Sequence, residues 1–126
     1  MTSKEDIIKE IKQHVLTLVS LSGPLPTDEN DIETTLHEHG KEWYIGITND
    51  TTERRTWHHA AKTPWYKWEA SSENVAREIE REVSDKWGLV SRKEQLEKFA
   101  SEGSQGESRY VYIYLIFQGI TREFDD

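Results

Sequence analysis

The segment that most limits how this chain can fold is RYVYIYLIFQ, residues 109–118. Every residue between Arg109 and Gln118 is aromatic, β-branched or Leu. Such side chains crowd the preceding turn of a helix and suit a pleated surface instead. No charged residue interrupts either face of the pleat. A strand of this kind has to be covered on both sides, so it is expected at the centre of a sheet.

The remaining sequence must supply its neighbours and its cover. At 126 residues the chain has the size of one domain with a real core. Ile7, Ile8, Ile11, Val15, Leu18 and Val19 recur at helical spacing. Ser3 is placed to cap that helix, and Asp6 completes a weaker form of the capping box. Residues 1–22 therefore read as an N-terminal helix added to an α+β domain spanning 31–126 within a single globular unit. SGPLPTDEN, with Gly23, Pro24 and Pro26, is a connector. IETTLHEHGKEWYIGIT reads as a β-hairpin, since Ile32, Thr34 and Leu36 alternate with Glu33, Thr35 and His37 around a turn at Gly40. Asn49 or Asp50 can cap a helix running to about Ala61, before Pro64. WYKWEA is a short strand. Ser71 or Ser72 caps a further helix, with Ala76, Ile79, Val83 and Trp87 inward and Gly88 as its stop. SRKEQLEKFASEG suggests another helix, and SEGSQGES a loop. The fold class is α+β, a small mixed or antiparallel sheet flanked by helices.

Composition narrows the chemistry. The absence of cysteine removes disulfides, thiolate nucleophiles and Cys-based zinc sites. No stretch is apolar enough to span a bilayer and none reads as a signal peptide, so no membrane partner and a cytoplasmic location are expected. The net charge of −8 disfavours tight non-specific nucleic-acid binding, unless a local basic patch or a bound cation offsets it.

One constellation carries chemistry. Tyr44 lies on a strand; Arg54 follows ten positions later on a helix, and His58 four beyond that, on the same helix face. Glu80 lies on or beside the inward face of the later helix. An arginine fork can hold a phosphate, a carboxylate can hold a hard divalent cation, and Tyr or His can position water or take its proton. Each also has a plain structural reading. Tyr44 could be packing, Arg54 and Arg55 a solvated face, His58 and His59 a helix C-terminal cap, and Glu80 a surface ion-pair member.

In this spacing the chain resembles the GIY-YIG nuclease superfamily over roughly residues 31 to 90. Tyr44, Ile45 and Gly46 look like the second signature triplet, Arg54 and His58 fall in register after it, and Ala76 and Glu80 match the later helix. The resemblance implies a divalent-metal-dependent endonuclease that hydrolyses phosphodiester bonds in nucleic acid, DNA in preference to RNA. Tyr44 would orient water, Arg54 would grip the phosphate and His58 would assist in proton transfer. Arg55 and Gly46 would line the substrate, and Glu80 would hold Mg²⁺ or Mn²⁺. The first triplet is missing. Its tyrosine belongs on the preceding strand, where this chain reads DIETTLHEH. His37 or His39 could take over proton transfer there. The alternative is a catalytically inactive relative that binds nucleic acid or protein, and a further one is an acidic domain that mimics nucleic acid. A zinc site at His37, His39, His58 and His59 lacks clear further ligands. Trp65, Tyr66 and Trp68 could stack on bases or fill the core.

Overall fold

The computed structural model describes residues 2–20, 23, 27–91 and 108–121. Among the described residues, four helices and three strands follow one another as α1 (Lys4–Ser20), α2 (Glu29–Gly40), β1 (Trp43–Thr48), α3 (Thr51–Trp57), β2 (Trp65–Glu69), α4 (Glu73–Trp87) and β3 (Tyr110–Leu115). The strands form one antiparallel sheet in the order β1-β3-β2, so the apolar strand that comes last in sequence stands at its centre. The helix expected over SRKEQLEKFASEG and the loop SEGSQGES lie outside the described residues.

Two expectations are corrected. The hairpin expected over residues 32–48 does not form, because its first half is helix α2. Ile32 and Leu36 satisfy a two-residue alternation, but they are also four apart and share a helix face. Asp28 decides between the two, since its side chain accepts hydrogen bonds from the amides of Asn30 and Asp31 and caps the helix. β1 instead pairs with β3, with Tyr44 opposite Tyr114 and Gly46 opposite Tyr112. The helix expected to reach Ala61 stops at Trp57, where His58 becomes the C-cap and His59 adopts φ 57°. Elsewhere the cap readings hold, with Ser72 at the start of α4 and Gly88 at its end, in the left-handed region at φ 76°.

The sheet separates two layers. Trp43, Ile45 and Ile47 of β1, Val111 and Ile113 of β3 and Trp68 of β2 belong to the larger core, with α1, α2 and α4 over them. The N-terminal helix is thus integral to the core through Ile7, Ile11 and Val15, each fully or almost fully buried. Burying a side chain of this size is worth about 1.5–3 kcal/mol. Lys4 ties the start of α1 to α4 through Glu82 at 3.0 Å and Glu78 at 3.6 Å. Trp87 closes the layer by donating its indole N–H to Glu33 of α2 at 2.8 Å. Beyond β1 the chain after α4 runs parallel to it, with Val90 exchanging backbone hydrogen bonds with Trp43 and Ile45 at 2.9 Å. The outer edge of β1 is therefore partly covered, and β2 forms the other edge of the sheet.

At Gly40 the end of α2 meets the end of α4 so closely that an added Cβ would overlap the Trp87 carbonyl oxygen. Gly40→Ala is expected to destabilise the protein by about 1–3 kcal/mol, read as a lower urea midpoint, because two backbones must move apart. His14 of α1 stacks on Tyr66 with ring centroids 3.6 Å apart. Partial burial there pushes its pKa below the ordinary imidazole value, against the opposing pull of Glu10 one turn earlier. The unfolded chain then takes a proton near pH 6.5 that the folded chain resists. The contribution of His14 is full above that value and is lost as pH falls through it towards the lower folded pKa. Urea midpoints measured from about pH 7.5 down to about pH 5.5 should fall less steeply in His14→Phe, which keeps the stack but not the titration.

Candidate active site

The second face of the sheet is aromatic. Tyr44 of β1, Tyr112 and Tyr114 of β3 and Trp65 of β2 project from it, because register places Tyr114 between Tyr44 and Trp65. Trp65 lies nearly parallel to Tyr112 and Tyr114, with centroids at 4.7 and 5.6 Å. Gly46 faces Tyr112, and a Cβ there would come within 2.5 Å of the Tyr112 hydroxyl. The glycine of the YIG triplet therefore makes room for a tyrosine from the neighbouring strand.

Helix α3 lies beside this face. Asp50 starts it by accepting the Glu53 amide at 3.0 Å, and it ends where the left-handed His59 turns the chain back. The Ala60 amide then bonds the Arg55 carbonyl at 3.0 Å. This reversal drives the His58 ring down onto the tyrosines, where it is 0% exposed. Its Nε2 is 2.7 Å from the Tyr112 hydroxyl and its Nδ1 is 3.0 Å from the Tyr114 hydroxyl. The Tyr44 ring lies against it at 4.7 Å, and Trp57 meets it edge-on at 4.8 Å. A neutral imidazole has one donor and one acceptor nitrogen. Between the two hydroxyls a neutral ring would have a partner at each nitrogen, one hydroxyl accepting its N–H and the other donating to its bare nitrogen. The result is a Tyr–His–Tyr chain through which a proton can be passed.

Arg54 and Arg55 are half-buried on α3. The Arg54 guanidinium sits over Trp57, 5.5 Å from the ring centre. The Arg55 guanidinium is held in place by the carbonyls of Ala60 and Ala61, both at 3.1 Å, and lies over Trp65 at 5.8 Å. Between α3 and β2 a cleft of about 280 Å³ is lined by Thr51, Thr52, Arg55, Trp65 and Lys67.

Glu80 is inward on α4 and 3% exposed, on the same stripe as Ala76, Ile79 and Val83. Those neighbours pack in the larger core, on the far side of the sheet from the tyrosines. Its carboxylate is a hard oxygen donor of the kind Mg²⁺ or Mn²⁺ takes, and Mg²⁺ commonly uses one or two carboxylates with water and phosphate oxygens completing its shell. Among the described residues, no group of three or more His, Asp and Glu converges to form a metal site.

The structure thus brings Tyr44, Gly46 and His58 into one layer and sets Arg54 and Arg55 on the helix beside it. His37 and His39 do not share a strand face. Both lie on α2, where His37 is exposed and His39 contacts Glu42 at 2.6 Å. Tyr66 and Trp68 belong with the larger core, whereas Trp65 lies on the tyrosine face. Sequence reasoning missed Tyr112, Tyr114 and Lys67. Alternate tyrosines at 110, 112 and 114 were the available signal, since they must share one face of a strand. No protein family, no curated protein and no solved structure matches this chain.

Removing either hydroxyl leaves a buried histidine nitrogen facing an aromatic ring. Tyr112→Phe and Tyr114→Phe should each cost about 1–3 kcal/mol of unfolding free energy in urea. Tyr110→Phe, at the half-buried start of the same strand, should stay within about 0.5 kcal/mol of the parent.

Proposed function

We propose that this chain is a GIY-YIG-like nucleic-acid-binding domain that hydrolyses phosphodiester bonds with one divalent cation. The observation that carries the reading is the pairing of β3 with β1. The family resemblance puts its first tyrosine on the strand preceding the YIG strand, and the segment preceding β1 is a helix without one. β3 occupies the antiparallel position beside β1 and sets Tyr114 directly across from Tyr44, with Tyr112 across from Gly46. We assign Tyr114 the place of the missing tyrosine on the strength of that pairing.

We assign the roles as follows. A tyrosine hydroxyl that donates to His58 can accept a proton from water as its own proton moves to the imidazole. We assign the positioning of the attacking water to Tyr44 and Tyr114, which are neighbours across the two strands and both lie against the His58 ring. Arg54, carried on α3 next to the layer, holds and neutralises the phosphate through its planar fork. Glu80 is the residue that the resemblance implies would hold Mg²⁺ or Mn²⁺; its stripe packs on the far face of the sheet, so no step at the Arg54 phosphate is assigned to a cation there. A second reading, a relative that binds nucleic acid without cutting it, is favoured by the complete burial of the His58 ring.

Plasmid nicking in Mg²⁺ or Mn²⁺ distinguishes the two. Catalysis at this layer requires a nicking rate that falls about a hundredfold or more in Arg54→Ala, with thermal stability checked in parallel. The same fall in Glu80→Gln at unchanged stability assigns the cation to Glu80. Retained oligonucleotide binding without nicking in either cation selects the binding module. Loss of both activities in the parent protein sinks the proposal.

A further inference from the structure

The cleft between α3 and β2 plays no part in the proton chain, and its composition is specific. It combines two cations, Arg55 and Lys67, two threonines, Thr51 and Thr52, and the half-buried Trp65 in about 280 Å³. We infer that this cleft binds a phosphate of a single nucleic-acid strand, with Arg55 and Lys67 as the anion ligands and Trp65 as the wall for the attached sugar or base. This assignment rests on the proposed nucleic-acid function and names where the strand is held.

Three features support it. First, Arg55 is preorganised. A guanidinium has five N–H donors in a fixed fork. The bonds from Nε to Ala60 and from Nη2 to Ala61 fix its plane and leave further donors on the same group for a phosphate oxygen. Second, Lys67 is exposed on β2, and its ammonium reaches across the cleft to the Thr51 hydroxyl at 3.3 Å. An ammonium has three donors, so a phosphate can be taken without giving up that contact. Third, Trp65 continues the stack of Tyr112 and Tyr114, which holds its ring in place. An indole so held is a platform for a sugar or base, and such stacking tolerates any sequence.

The surroundings suit an anion in spite of the overall charge of −8. Asp50 is engaged as the cap of α3, and Glu53 is turned away from Thr51 and Arg55 by the helical period. Glu69 lies two residues along the same face of β2, half-buried at the strand end. The volume is at the low end for a ligand site, which suits a single nucleotide unit of a longer strand. The cleft adjoins the aromatic layer through Trp65, so a strand seated there would run past the face that carries Tyr44 and His58.

The test is fluorescence anisotropy with a labelled single-stranded oligonucleotide, alongside titration with a free nucleoside diphosphate. Lys67→Gln should weaken oligonucleotide binding about tenfold at low salt, with an unchanged urea midpoint because the side chain is exposed. The slope of log affinity against log salt should fall by roughly 0.7, the value for one phosphate contact on a single strand. Lys67→Arg should retain binding, and Thr52→Glu should lose it by placing an anion in the cleft. Oligonucleotide binding that Lys67→Gln and Thr52→Glu leave intact overturns the cleft and spares the nucleic-acid reading. Lys67-dependent binding of the free nucleotide alone keeps the cleft as a nucleotide site and overturns the nucleic-acid reading. Failure of the parent protein to bind either ligand overturns both.

Discussion

The two antiparallel ladders of β3 place almost everything else in this molecule. One ladder holds β1 from Trp43 to Thr48, the other holds β2 from Trp65 to Glu69, and β1 and β2 do not pair with each other. Because side chains alternate along a strand, β3 presents Val111 and Ile113 to one layer and Tyr112 and Tyr114 to the other. The same register therefore seats three helices on an apolar face and a hydrogen-bonded aromatic cluster on the opposite face. A slip by one residue would exchange the two sets, burying tyrosine hydroxyls among aliphatic side chains and removing both partners of His58.

Most of the fold was legible in the sequence where two independent signals agreed. The helix α4 combined an inward stripe with a serine cap and a glycine stop, and β3 combined composition with length. Residues 29–40 failed for an instructive reason. Thr34 and Thr35 favour strands, Ile32 and Leu36 fit either period, and the deciding bond from the Asp28 side chain is local geometry rather than pattern. The site divides similarly. Tyr44, Arg54 and His58 stand out because they lie within one short segment. Their partners do not, since Tyr112 and Tyr114 reach His58 across sequence separations of 54 and 56 residues. Nothing in a one-dimensional spacing announces such a contact.

Net charge alone does not describe how charge is distributed over the molecule. The acidic excess is carried partly on helices such as α4, where Glu78 and Glu82 bind Lys4 and Glu73 binds Arg77 at 3.2 Å. The cations Arg54, Arg55 and Lys67 are gathered on α3 and β2, on the tyrosine side of the sheet. An approaching polyanion feels the field near this face more than the sum over the chain, since exposed charges farther than about 8–10 Å are screened at physiological salt.

That β3 is both central and late in sequence has a consequence for how the molecule is made. During synthesis β1 and β2 leave the ribosome before their shared partner exists, and neither can complete its ladder alone. The helices α1, α2 and α4 can associate earlier, but the sheet closes only when β3 meets strands far from it in sequence, and the entropy of closing such distant contacts slows folding. Until then two aromatic strands have unpaired edges. Unpaired edges of this kind are open to pairing with other chains, and the arrival of β3 covers one edge of each strand.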